Sequence, residues 1–265
     1  MTYTAPIAEQ LFVLETIAGI DKLTGQPANA DFDWDLISTV LEEGGHLTAE
    51  LFAPLNTVGD KEGLAWSPQG VRHPAGFAKA YATYVEGGWQ ALSADPEFGG
   101  QGMPLSLSIA FGEQLASANM AFSLCMILSS GAVEALSAHG SEELKELYLP
   151  KLISGEWTGT MNLTEPQAGS DVGTLVTLAT PADDGTWRIR GSKIFISWGE
   201  HELAKNIIHL VLARTPGSPP GTRGISLFVV PKFLPDAEGK PGSRNDLSCV
   251  SIEHKLGIHA LRPVR

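Results

Sequence analysis

The hydrophobic pattern of this chain changes period once, at Trp157, and that change restricts the folds open to it. Before it, apolar residues recur at helical spacing. Leu36, Ile37, Val40, Leu41, Leu47 and Leu51 predict a helix behind an N-cap at Asp31 or Asp33. Pro74 can open a second, with Phe77, Tyr81 and Val85 on one face and Gly87-Gly88 at its end. A third is predicted from about Leu105 to Ser117, then a buried one over Met120 to Leu136. A short helix follows from Ser141, where Glu142 and Glu143 suit the helix dipole, to Pro150. After Trp157 the pattern alternates. Thr174 to Thr180, Trp187 with Ile189, and Ile194 to Ile196 read as extended, with a turn at Asp183-Asp184-Gly185. Asn206 to Ala213, Gly224 to Val230 and Leu247 to Ile252 read as further strands. Pro216 to Gly224 and Pro235 to Ser243 read as surface loops. Helices followed by consecutive strands predict an α+β fold: an N-terminal helical bundle over 1–157, then an antiparallel β-barrel-like domain over 158–265. No GxGxxG follows a strand, so a Rossmann-type dinucleotide site has no support.

Charge narrows the partners. Lys and Arg number 18 against 30 Asp and Glu, a formal charge of -12, which repels phosphate backbones and anionic lipid. Nucleic acid and membrane are therefore not expected. The apolar run from Met120 contains Ser123, Ser129, Ser130, Gly131 and Glu134, and reads as a core helix rather than a membrane span. Cys125 and Cys249 sit in apolar contexts without CxxC spacing. They read as buried thiols in a reducing cytoplasm, and no signal-peptide pattern opens the chain. Seven His show no HExxH or paired spacing, so no metal is expected, and His201 between Glu200 and Glu202 reads as a solvated loop. Ser170 follows Ala168-Gly169 and does not form a nucleophile elbow.

The most informative stretch is Met161-Asn162-Leu163-Thr164-Glu165-Pro166-Gln167-Ala168-Gly169-Ser170-Asp171-Val172. Strand-like residues enter two successive turns, with one φ fixed by Pro166 and conformational freedom at Gly169. Such a loop can turn backbone N–H groups and the hydroxyls of Thr164 and Ser170 toward a polar ligand edge; any four of these residues would equally suit an ordinary tight turn. All twelve together resemble the signature loop of the acyl-CoA dehydrogenase family, which lines the isoalloxazine of FAD and the neck of the acyl-CoA tunnel. The resemblance makes Met161, Asn162, Leu163, Thr164, Gly169 and Ser170 cofactor-binding candidates, with Ser170 also toward the substrate. Asp95-Pro96-Glu97-Phe98-Gly99-Gly100-Gln101-Gly102 resembles the family's Gly-rich turn between helices. Gly191-Ser192-Lys193-Ile194-Phe195-Ile196-Ser197 resembles its Gly-x-Lys-x-Trp-Ile-Thr strand, whose aromatic packs on the flavin and whose hydroxyl bonds near flavin N5. Phe195, Ile196 and Ser197 join the candidates; Phe and Ser in place of Trp and Thr keep a stacking face and a hydroxyl. The segment with Phe12-Val13-Leu14-Glu15 resembles the N-terminal extension of a larger-subunit subgroup that includes 3-methylmercaptopropionyl-CoA dehydrogenases.

The resemblance implies FAD-dependent α,β-dehydrogenation of an acyl-CoA thioester in fatty-acid metabolism. It also implies an electron-transfer flavoprotein as acceptor and a homo-oligomer when full-length. CoA is anionic, so its site in an acidic chain needs local positive charge or helix N-termini. The likeness runs from the start to His254-Lys255-Leu256-Gly257-Ile258-His259, about the first half of a typical subunit. Leu261-Arg262-Pro263-Val264-Arg265 does not match, and truncation or a changed reading frame is the expectation. In the family the C-terminal helical bundle supplies the glutamate that takes the α-proton, so no catalytic base is assigned here. A non-enzymatic or partner-dependent half-subunit and an acyl-CoA oxidase remain as alternatives.

Overall fold

The computed structural model describes residues 3–22, 32–261 and 263–265. Up to Trp157 it holds α1 (Ile7–Phe12), α2 (Trp34–Leu47), α3 (Ala53–Glu62), α4 (Phe77–Glu86), α5 (Leu105–Ala118), α6 (Met120–His139) and α7 (Glu142–Ile153). A small hairpin of β1 (Ala65–Ser67) and β2 (Gly70–Arg72), not foreseen, lies among them. Side chains set several helix starts by satisfying orphan N–H groups. Asp33 accepts from Leu36 at 2.8 Å, Asn119 from Phe122 at 3.0 Å and Ser141 from Leu144 at 3.4 Å. Asp31 lies outside the described residues. Two boundaries differ from the sequence reading. α4 begins at Phe77 behind Gly76 rather than at Pro74, and α7 continues through Pro150 to Ile153. Pro150 removes one backbone donor near the helix end, while burial of Tyr148, Leu149, Leu152 and Ile153 contributes roughly 1.5–3 kcal/mol per side chain and outweighs it.

Phe52, Phe77, Tyr84, Phe111 and Phe122 form the main core with Cys125. α6 is long and apolar enough to cross a membrane, yet Phe122, Cys125, Ala132 and Leu136 on it are buried where it packs on α5, α7 and the sheet.

Beyond Trp157, β3 (Trp157–Asn162), β4 (Leu178–Pro181), β5 (Trp187–Arg190), β6 (Asn206–Arg214) and β7 (Ile225–Pro231) make one sheet. β8 (Phe233–Pro235) and β9 (Pro241–Arg244) make a hairpin where a loop was expected. The α+β class holds, but the sheet is open and mixed rather than an antiparallel barrel. β3 runs parallel to β6 from Trp157↔Asn206 to Asn162↔Val211, and β4 meets β6 in parallel at Leu178↔Arg214. The β4–β5 and β6–β7 pairs are antiparallel. Parallel neighbours need a long connection. Here the loop after β3, the β4–β5 hairpin and an irregular segment supply it without a crossover helix. α6 crosses β3 at Gly159, where a Cβ would overlap Ala132. Trp157, Ile208 and Leu210 share a core with α6 and α7, so helices and sheet are packed as one body.

Three predicted strands are shorter or absent. Val172–Thr174 is a 3-10 turn, because the Arg214 guanidinium holds the carbonyls of Gly173, Leu175, Pro219 and Gly221 and draws this stretch out of the sheet. Leu247 to Ile252 forms no regular strand, although Val250 N–H donates to the Arg265 carbonyl, Arg265 N–H to the Ser251 carbonyl, and Ile252 bridges Val264. Ile194 to Ile196 is likewise irregular, with Ile196 alone bridging Val264.

Candidate functional site

β3 carries Met161 and Asn162 at its end, and the chain then turns tightly. Glu165 and Ala168 exchange both backbone hydrogen bonds at 3.0 Å around Pro166-Gln167. The Glu165 side chain points inward and is 1% exposed. Its carboxylate accepts from Lys193 Nζ at 2.8 Å, Val176 N–H at 2.8 Å, Gln167 Nε2 at 2.8 Å and Thr177 N–H at 3.1 Å. Burial pushes its pKa up, but these donors together outweigh burial and hold it at about 2. Burial lowers the pKa of Lys193, with Glu165 opposing.

The second segment returns beside the first because the β4–β5 hairpin reverses the chain. Ile194 N–H donates to the Thr164 carbonyl at 2.9 Å, and Lys193 Nζ to the Leu163 carbonyl at 3.1 Å. Two residues further, Phe195 adopts a left-handed backbone with φ 59°, rare for an aromatic residue. The residue is 50% exposed, and Met161 is 37% exposed. The Ser197 carbonyl accepts from Thr160 Oγ1 at 2.6 Å, leaving the half-buried Ser197 hydroxyl uninvolved in that anchor. Leu163, Thr164, Phe195 and Ser197 are thus drawn to one edge. Gly169 and Ser170 lie beyond Ala168, exposed, and the bonds joining the two segments stop at Glu165.

Inward from Ser197 the chemistry differs. Trp198, also left-handed at φ 54°, donates its indole N–H to the Ala121 carbonyl at 3.0 Å and stacks on His73 at 4.6 Å. His201 is 1% exposed, which corrects its reading as a solvated residue. Leu203 N–H donates to its Nδ1 at 3.2 Å, so Nε2 carries the proton and faces Thr158 Oγ1 at 2.9 Å. Burial, then His73, Lys232 and His209, hold its pKa well below the usual histidine value. Glu200 is buried between Lys232 and Arg244. His209 donates from Nδ1 to Asn162 Oδ1 at 3.2 Å, and among the described residues its buried Nε2 has no partner. No group of three or more His, Cys, Asp or Glu suited to a metal occurs among the described residues. Spacing gave no sign that Lys193 reaches Glu165, or that His73 reaches Trp198; both pairings depend on the tertiary fold.

A model of the acyl-CoA dehydrogenase N-terminal domain matches residues 65–156, and one of the middle domain matches 160–262. The chain belongs to the acyl-CoA dehydrogenase family and carries these two of its domains. It is similar to the 3-methylmercaptopropionyl-CoA dehydrogenase of Ruegeria pomeroyi, 48% identical over 260 residues, covering 98% of this chain and 44% of that one. Butyryl-CoA dehydrogenase from Megasphaera elsdenii superposes with a TM-score of 0.68 at 24% identity, covering 88% of this chain and 55% of that one. An acyl-CoA dehydrogenase from Bacillus anthracis, complexed with FAD, does so with a TM-score of 0.66 at 22% identity, covering 89% and 35%. These structural likenesses are of fold. The chain spans 41–44% of the length of four curated relatives it matches, under half in each case.

Proposed function

We propose that these residues form the flavin- and substrate-facing part of an enzyme that dehydrogenates an acyl-CoA thioester across its α and β carbons. The carrying observation is the joined edge: Ile194 bonded to Thr164, with Met161 and Phe195 left uncovered beside it. Two large apolar side chains exposed next to hydroxyls fit a flat, apolar ring with polar margins, and FAD is such a group. Met161 and Phe195 would hold its ring, with the hydroxyls of Thr164 and Ser197 and the backbone of Asn162 and Leu163 at its rim; Ile196, 3% exposed and with both backbone groups bonded to Val264, would support Phe195 from behind. Gly169 and Ser170, on the far side of the turn, would face the acyl-CoA. FAD, when bound, supplies the hydride acceptor. The chain's own residues orient the reactants and exclude water from one side.

The proton acceptor is assigned to none of these residues. Glu165, the carboxylate nearest the edge, is ionised but saturated by four donors and buried behind the loop. Leu105 and Ile109, one turn apart on α5, and Met120 and Ile127 on α6 leave large apolar side chains exposed, which favours a reading in which a covering layer or partner completes the site. An electron-transfer flavoprotein as acceptor, a homo-oligomer and a cytoplasmic location belong to the same proposal.

The test is flavin absorbance of the purified chain titrated with FAD, followed by anaerobic addition of octanoyl-CoA and short acyl-CoAs. These 265 residues alone are expected to turn over substrate at least ~10²-fold more slowly than a version of the relatives' full length, since a positioned base supplies about 10²–10⁴ in rate. No flavin binding and no acyl-CoA-dependent bleaching in the long version would overturn the proposal.

A further inference from the structure

One buried ion pair reaches every segment around the proposed flavin edge. Glu165 sits in the loop after β3; its carboxylate takes the backbone N–H groups of Val176 and Thr177, ahead of β4, and the ammonium of Lys193, after β5. The same ammonium donates to the Leu163 carbonyl, and the next residue, Ile194, donates to Thr164. The side chains of Glu165 and Lys193 are 1% and 8% exposed, so water does not compete for these bonds. Thr164 is adjacent to one member of the pair, and Phe195 is two residues from the other.

We propose that Glu165 and Lys193 are positioning residues for the flavin edge: a clamp that fixes Leu163–Thr164 against Ile194–Phe195 without touching the ligand. This rests on the flavin reading above. Geometry and energetics both support it. A carboxylate offers about four lone-pair sites, and all four are used within the protein. A buried ion pair gives little net stability over an apolar pair of like volume, whereas its directional bonds can select one arrangement. The arrangement selected here includes a left-handed aromatic, a conformation that persists only when neighbours on both sides enforce it. Lys193 with Ile194 enforces it from one side, and the Ile196–Val264 bridge from the other. An apolar pair would fill the space but leave the Leu163 carbonyl and the Val176 and Thr177 amides to find other partners.

The experiment compares the wild-type chain with Lys193→Arg, Lys193→Met and the double variant Glu165→Gln/Lys193→Met. The double variant removes both charges at once and so avoids the stranded buried carboxylate that Lys193→Met alone would leave. Two quantities are read: amide hydrogen exchange by mass spectrometry without flavin, and affinity plus visible band shape for added FAD. In the double variant we expect exchange at residues 165, 168 and 194 to rise at least tenfold, with Ile208 to Leu212 in β6 unchanged. FAD affinity should fall at least tenfold and the bound band lose its fine structure, with Lys193→Arg in between. If the wild type binds FAD and the double variant binds it equally well with the same band, the clamp is refuted and the flavin reading stands. Exchange that rises throughout the sheet also refutes it, because the pair then serves the whole fold. If the wild-type chain binds no FAD, exchange alone decides the clamp, with confined opening upholding it and unchanged protection overturning it, while the flavin reading is decided separately on a version of the relatives' full length.

Discussion

Phe195 and Trp198 lie three residues apart on one irregular segment, and both hold a left-handed backbone that costs an L-residue roughly 1–2 kcal/mol. At Trp198 the fold offsets that cost. The ring is 2% exposed, bonded to Ala121, stacked on His73 and edge-on to Phe122 and His201. At Phe195 half the surface remains in water, and among the described residues the charged group over the ring is Lys255 Nζ at 5.2 Å. The same strain is therefore structural at one position and unrewarded within the chain at the other. Uncompensated strain of this kind clusters at ligand sites, and the flavin contact proposed for Phe195 would account for it. The segment has an inner half that fastens the sheet to the helices and an outer half that offers an apolar face.

The largest effect should come from the inner half. Trp198→Ala is expected to lose ~3–5 kcal/mol of stability, the range for deleting a large buried aromatic, in urea denaturation followed by far-UV circular dichroism. A loss below 1 kcal/mol would break the comparison, since Trp198 would then be as weakly held as Phe195. The next effect is pH-dependent. Burial first, then Lys232 and Arg244, lower the pKa of His209 from 6.5 to about 4. Unfolded chain then binds a proton that folded chain refuses. Stability is full above pH 6.5, falls as pH drops from 6.5 to 4, and for this group is constant below that. The span corresponds to about 3 kcal/mol. Glu165 acts in a lower window, from its unfolded value near 4.5 down to about 2. Unfolding free energies between pH 7 and 4 should therefore fall steeply in the wild type and less so in His209→Gln. Parallel curves would remove His209 from this account.

What the sequence disclosed follows from how local each feature is. Capping at Asp33 and Ser141 depends on residues three apart and was readable. The buried length of α6 was readable too, because its apolar run has only one charged residue, Glu134. The parallel register of β3 on β6 was not: period-two alternation is the same for parallel and antiparallel strands. At the site, the loop residues stood out through Pro166 and the Gly169-Ser170-Asp171 turn. The buried state of His201 did not, since Glu200 and Glu202 beside it suggest solvent, and only Lys232 and Arg244, brought from β7–β9, make Glu200 tolerable inside. Nor does any propensity place an aromatic at φ 59°; that conformation arises from Lys193, Ile194 and Val264 acting together.

The outer half should respond with the opposite sign. Phe195→Gly relieves the left-handed strain but gives the unfolded chain more freedom, so a net gain of about 0.5–1 kcal/mol is expected. FAD binding should weaken in the same variant, because the apolar face is gone. A higher urea midpoint with poorer flavin affinity is the pair of results sought. Destabilisation by more than 1 kcal/mol would mean that the ring packs within the fold, erasing the contrast with Trp198.

The smallest effect on the fold is predicted at Ser197, on the boundary between the halves. Its backbone carbonyl, not its hydroxyl, is anchored by Thr160 Oγ1, so Ser197→Ala leaves the anchor intact. Loss of a partly exposed hydroxyl without that role costs roughly 1 kcal/mol or less. Thr160→Val is the matched control, since it removes the anchor and keeps the Ser197 side chain. If Ser197 faces the flavin, Ser197→Ala in a version of the relatives' full length should slow anaerobic flavin reduction by acyl-CoA while the urea midpoint hardly moves, because a hydrogen bond to a group gaining charge is stronger than one to a neutral group. Thr160→Val should do the reverse in proportion, lowering stability first and reduction only through the displaced backbone. Reduction kinetics unchanged in Ser197→Ala would take the hydroxyl out of the site and leave Phe195 and Met161 as its apolar walls alone.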